Sequence, residues 1–177
     1  MRKYVVLTLT GTDRIGIVEH VTELLLKYGT NVEASRMAHL GGEFAMLLYV
    51  SIPQNRLPDL TEGVRVLQDE GFQVSTKSTE MSSSAAYAGW VPYEVKVTGA
   101  DHEGIIYNVT HHLAERGINI ETMDTNLTQA PMSGTPLFTM SAIVVVPPDL
   151  TSSEIRRNLE RVGDELNVNV ELSPLGE

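Results

Sequence analysis

TGTDRIGIVEHVTELLLKYGTNVE, residues 10–33, decides the fold because the chain contains it twice. Residues 98–121 read TGADHEGIIYNVTHHLAERGINIE, the same stretch displaced by 98 − 10 = 88 positions. Thr10/Thr98, Gly11/Gly99, Asp13/Asp101, Gly16/Gly104, Ile17/Ile105, Val21/Val109, Thr22/Thr110, Leu25/Leu113, Gly29/Gly117, Asn31/Asn119 and Glu33/Glu121 are identical pairs. Self-similarity at a fixed offset marks a duplicated structural unit. Farther along, Phe44/Phe138, Met46/Met140, Pro53/Pro147 and Val74/Val168 match at an offset of 94. The difference, 94 − 88 = 6, puts an insertion in the second copy around Gln129 to Pro136.

Working outward, each copy reads as six elements. Lys3–Leu9 and Val91–Val97 are β-rich runs. A Thr-Gly turn then leads into a helix, whose Ile17, Val21, Leu24 and Tyr28 recur at helical spacing with Leu25 widening the stripe. Its counterpart uses Ile105, Val109 and Leu113. Gly29 and Gly117 sit where a left-handed residue closes a helix. Asn31–Leu40 and Glu43–Ile52 predict a hairpin around Gly41-Gly42, with Phe44, Met46, Leu48, Val50 and Ile52 alternating onto one face. Second helices are expected near Leu57–Glu70 and Ser152–Glu165, and closing strands near Phe72–Lys77 and Val168–Leu172. The order βαββαβ, twice, predicts an α+β protein of two ferredoxin-like units, each an antiparallel sheet with its helices on one face. The expected organisation is a first domain at 1–80, a linker rich in small residues at 81–90, and a second domain at 91–177.

Composition narrows the function. The chain has 177 residues, 42% of them apolar, and no run near the roughly 18 uncharged apolar residues a membrane span requires. Met1-Arg2-Lys3 begins like a signal peptide, but Thr8, Thr10 and Asp13 interrupt the apolar run, so a cytoplasmic location is expected, with no membrane partner. Without cysteine there is no disulfide, thiolate nucleophile or Cys-based metal site. A net charge of −10 argues against direct nucleic-acid binding, whose affinity comes largely from Lys and Arg on phosphates. Any role in gene regulation would therefore pass through another protein. His111 and His112 are adjacent on a helix and point apart, so neither a metal nor another cofactor is expected.

Candidate ligand-binding residues cluster in the repeated turns. Asp13 and Asp101 fit either a helix cap or a ligand contact. Gly16 and Gly104 weaken a first helical turn, so either close packing or exposed backbone amides should require them. Each turn carries a carboxylate and lacks the Gly-Lys-Ser/Thr of a phosphate loop. A zwitterion fits better, its carboxylate on the helix N–H groups and its ammonium on Asp13, Asp101 or the amides of Asn31 and Asn119. Ile17 and Ile105 read first as core.

Thr10-Gly11-x-Asp13-Arg14-x-Gly16-Ile17-Val18 followed by Gly29-x-Asn31-Val32-Glu33 resembles the opening of ACT domains, the small ligand-binding modules of amino-acid metabolism. The resemblance implies two units side by side as one eight-stranded sheet, and an amino-acid ligand near the first loop and helix start. The implied contacts are Thr12, Asp13, Arg14, Gly16, Ile17 and Asn31, with Asp101, His102, Gly104, Ile105 and Asn119 in the second copy. Two departures stand out. Ile15 and Glu103 occupy positions where the family commonly has proline, and His102-Glu103 replaces Arg14-Ile15. The expectation is a non-enzymatic, homodimeric regulator that binds a small molecule and signals to a protein partner. The rivals are an acylphosphatase-like hydrolase built on Arg14 and Asn31, and an interaction module that has lost its ligand.

Overall fold

The structure, a computed structural model, describes residues 1–80, 87–130 and 134–175. These fall into two compact units, divided between residues 83 and 84. The first unit runs β1 (Arg2–Thr12), α1 (Ile17–Lys27), β2 (Asn31–Leu40), β3 (Glu43–Pro53), a 3-10 turn (Gln54–Arg56), α2 (Leu57–Gly63), α3 (Arg65–Asp69) and β4 (Gln73–Thr79). The second runs β5 (Val91–Ala100), α4 (Ile105–Glu115), β6 (Asn119–Gln129), β7 (Pro136–Val146), α5 (Ser152–Leu166) and β8 (Val168–Pro174). Strands pair within each unit, in the orders β2-β3-β1-β4 and β6-β7-β5-β8, and every pairing is antiparallel.

One face of each sheet packs under helices. In the first unit Val5, Leu7 and Leu9 of β1 and Met46, Leu48, Val50 and Ile52 of β3 share a core with Ile17, Val21, Leu24 and Leu25 of α1. The period-2 and period-3.6 stripes of the sequence thus meet in one buried layer. The second unit repeats this with Val95, Val97, Met140 and Val144 under Ile105, Val109 and Leu113. Gly29 and Gly117 take φ of 68° as the helices end, and Gly41 and Gly42 have φ of 60° and 88° in the hairpin turn. Two positive φ values in succession suit a turn that follows the right-handed twist of its strands.

Three sequence expectations shift. Thr10-Gly11 is no turn, because β1 stays paired with β3 through Thr12, opposite Glu43 at the hairpin end. Strand β5 likewise pairs through Ala100. The helix expected at Leu57–Glu70 is broken at Val64 into α2 and α3, whereas α5 is continuous and closed by a capping box between Thr151 and Glu154. The linker at 81–90 lies outside the described residues for 81–86, as does the insertion at 129–136 for 131–133.

Gly11 and Gly99 are packing glycines. A Cβ on Gly11 would lie 2.6 Å from the Phe72 ring, and one on Gly99 would lie 2.7 Å from Val168 Cγ1 and 3.1 Å from its backbone Cα. The Gly99 clash involves backbone, which cannot swing away. Gly99→Ala should therefore lower stability by about 1–3 kcal/mol through overpacking, read as an earlier urea midpoint. An unchanged midpoint would contradict this account of the glycine.

Candidate functional site

The repeated loop joins β1 to α1 and β5 to α4. Gly16 and Gly104 are the N-cap residues, with φ of 90° and 92°. An L-residue with a Cβ rarely adopts that conformation, so backbone shape explains both glycines. This corrects the expectation that they lie inside the first turn and need close packing or a ligand. A Cβ on Gly16 would meet nothing within 4 Å, and one on Gly104 would meet only Asn108 Nδ2, at 3.2 Å. Neither helix start has a side-chain cap, so Asp13 and Asp101 do not cap. The backbone N–H groups of these two aspartates are used instead, Asp13 donating to Gly42 O at 3.1 Å and Asp101 to Pro136 O at 2.9 Å. Each hydrogen bond pins the loop against the neighbouring hairpin. The Asp13 carboxylate stays half-exposed, 3.7 Å from His39 Nε2.

The next residue turns away from the helix start. Arg14 NH2 donates to Glu70 Oε2 at 2.8 Å, and its guanidinium lies 4.6 Å from the Phe72 ring centroid. His102, at the matching position, meets Leu166 O through Nε2 at 2.7 Å and Glu103 O through Nδ1 at 3.0 Å. Both side chains thus tie the loop to the end of the last helix in their own unit. Thr12 is the exposed last residue of β1, and Ile17 and Ile105 are core residues.

Asn31 and Asn119 are not brought to this loop. Each opens the strand that follows the first helix, at the opposite end of that helix from Gly16 or Gly104. An 11-residue helix is about 16 Å long, so one small ligand cannot touch both ends within a unit. Asn31 Nδ2 donates instead to Glu33 Oε1 at 3.0 Å, and Ser51 Oγ donates to the same oxygen at 2.6 Å. These hydrogen bonds, Ser51 foremost, hold the Glu33 carboxyl below the usual carboxylate range. The hydrolase arrangement needed Arg14 and Asn31 to converge, and they do not. Asn119 borders a shallow groove of about 410 Å³ between α4 and β6, with Tyr107 and His111 stacked at 5.5 Å on its helical wall.

His112 carries chemistry that sequence reasoning passed over. It is 7% exposed, accepts at Nδ1 from Arg116 NH1 at 3.1 Å, and has no partner for Nε2 among the described residues. A buried donor without an acceptor costs about 1–3 kcal/mol. The repeat held the signal, because 112 − 88 = 24 and position 24 is leucine, buried in the first core.

The ACT domain family profile matches residues 3–77. A stretch of 48 residues, 27% of this chain, is 44% identical to the glycine cleavage system transcriptional repressor of Escherichia coli strain K12, and spans only about 25% of that protein's length. The crystal structure of an unknown protein from Galdieria sulphuraria superposes with a TM-score of 0.82 at 35% identity, over 99% of both chains. A crystal structure described as a glycine cleavage system transcriptional repressor superposes at 0.70 and 21% identity, over 98% of this chain and 97% of that one, which shows a shared fold. The first unit, residues 3–77, belongs to the ACT-domain family, and the second is built on the same βαββαβ plan. The Escherichia coli relative is by name a transcriptional repressor. No helix among the described residues is long and apolar enough to cross a membrane.

The His102 contacts give a pH signature. The hydrogen bonds to Glu103 O and Leu166 O raise its pKa. A raised folded pKa adds stability that is fully present below the ordinary histidine range and is lost as pH rises through the folded value. Wild type should therefore exceed His102→Gln in urea stability at pH 5.5 by more than it does at pH 8. A difference that is flat, or that grows with pH, would contradict the assignment.

Proposed function

We propose that this chain is a non-enzymatic regulator that binds a small ligand of the amino-acid class at the starts of α1 and α4. The observation that carries the reading is the contrast between helix starts. Helix α5 closes its N-terminus with the Thr151–Glu154 capping box, whereas α1 and α4 have no side-chain cap and begin at glycines where an added Cβ would meet nothing within 4 Å at Gly16 and only Asn108 at Gly104. The first four N–H groups of a helix lack intrahelical partners and carry the positive end of its dipole. A ligand carboxylate satisfies both. The Asp13 and Asp101 carboxylates nearby suit an ammonium and disfavour phosphate.

Thr12, Gly16, Ile17, Gly104 and Ile105 then contribute mainly backbone, while Arg14 and His102 brace the loop they flank. Asn31 and Asn119 belong to a ligand site only if a neighbouring unit brings them there. The likeness to glycine cleavage repressors makes control of that system's transcription the process to test first. The net charge of −10 favours action through a protein partner instead of direct contact with DNA. The edge strand β2, exposed along its whole length, suits assembly of a homodimer. A cytoplasmic location follows from the same reading.

Thermal-shift screening of the standard amino acids, followed by calorimetry of the best ligand, tests this directly. Asp13→Ala should weaken binding about tenfold or more, the scale of one lost charge-assisted hydrogen bond. The absence of a shift with every amino acid would defeat the proposal.

A further inference from the structure

Each sheet carries its helices on one face, and the opposite faces of the two sheets differ in charge. In the first unit Val6 and Thr8 of β1, Leu47 of β3, Arg36 of β2 and Lys77 of β4 alternate away from the core. Leu47 is 45% exposed between the buried Met46 and Leu48. Arg36 lies across from Leu47 and Lys77 across from Val6, and both are exposed. Neither makes an ion pair with another described residue; Arg36 only reaches the neighbouring Ser35 O. Glu43 shares this face, but it stands four residues from Leu47, about 13 Å along β3. At the other end Arg2 and Glu33 are joined through Ser51 Oγ.

In the second unit Glu94 and Lys96 of β5, Ser141 and Ile143 of β7, Asp124 of β6 and Glu171 of β8 alternate away from the core. Lys96 Nζ lies 3.1 Å from Glu94, which also accepts from Ser141 Oγ at 2.9 Å, so this pair is closed within the face. Asp124 and Glu171 are exposed and make no ion pair with a described residue. Asp124 is the repeat counterpart of Arg36 (36 + 88 = 124), so the charge is inverted at one place in the fold.

The spacing of the charges matches as well. Arg36 and Lys77 stand on the two outer strands of their sheet, and Asp124 and Glu171 on the two outer strands of theirs. Three strand spacings put the members of each pair about 14 Å apart across the sheet. Lys77 is displaced by two residues along the strand, about 7 Å, which long side chains span. Sheets stacked face to face lie about 10 Å apart with their strands nearly aligned, so both cations can meet both carboxylates at once.

We propose that the open sheet face of the first unit is a docking surface for a second copy of this chain, received by the open sheet face of that copy's second unit. Charge of this kind fixes partner and orientation, while burial of Val6, Leu47 and Ile143 adds an apolar contribution. Strands β4 and β8 have 7 residues each. Four strands over that length give a face of about 440 Å². One such contact buries about 900 Å² in total, short of the roughly 1,200–2,000 Å² of stable interfaces, whereas two reciprocal contacts bury about 1,800 Å². Each chain owns one face of each kind, so the pairing closes as a dimer. It rests neither on the ligand reading nor on strand addition at the β2 edge.

Two charge-reversed full-length chains test this by sedimentation velocity. One carries Arg36→Glu with Lys77→Glu and so has two acidic faces; the other carries Asp124→Arg with Glu171→Lys and has two basic ones. All four positions are exposed, and circular dichroism checks that each variant folds. Wild type should dimerise, and each variant alone should do so at least about tenfold more weakly, because like charges face each other. An equal mixture of the two should restore a dimer of near wild-type affinity, since each acidic face then meets a basic one. A monomeric wild type, variants that dimerise like wild type, or a mixture no tighter than its components would each overturn the proposal. A wild-type dimer that both variants retain would point to the β2 edge instead, and binding of amino acids by any of these chains is a separate measurement.

Discussion

Each unit depends on one strand that must be paired on both edges and then reverse into a helix lying over itself. Strands β1 and β5 fill that position, hydrogen-bonded to β3 and β4 or to β7 and β8. Two glycines per copy meet the demand. Gly11 and Gly99 let Phe72 and Val168 pack directly on the strand, and Gly16 and Gly104 supply the left-handed residue that starts the return helix. A glycine N-cap offers no side-chain oxygen, so the geometry that brings α1 back over the sheet also leaves its first amides unsatisfied by side chains. Fold and proposed site thus share a cause.

Duplication then allowed divergence without loss of the frame. Arg14 and His102 do the same bracing with different chemistry, one through a carboxylate and an aromatic ring, the other through backbone carbonyls. Leu24 and Tyr28 give way to His112 and Arg116, so a position that is plain packing in one copy becomes a polar interior in the other.

The sequence made the architecture legible because the stripes that bury the core are strong and appear twice. Strand β2 runs from Asn31 to Leu40, up to the Gly41-Gly42 turn that marks its end in the sequence, and Gly29 and Gly117 take positive φ where the helices stop. Local chemistry misled where tertiary pairing overrides it: Thr10-Gly11 has turn composition, yet the opposing strand holds it extended. Asp13 has the identity of a cap but stands three residues before the cap position, with its amide committed to the hairpin. Asn31 offers an amide that suits the same ligand as Gly16, yet the length of α1 separates the two. His112 was legible through its leucine counterpart, but only once the copies are compared position by position instead of for identities alone.

The central claim is that the glycine-opened starts of α1 and α4 receive a ligand carboxylate. A crystal structure of the chain grown with the tightest-binding amino acid tests it most directly. The account predicts a carboxylate within hydrogen-bonding distance of the amides following Gly16 or Gly104, with the ammonium toward Asp13 or Asp101. Those amides covered by packed protein, with the amino acid held elsewhere, would contradict it.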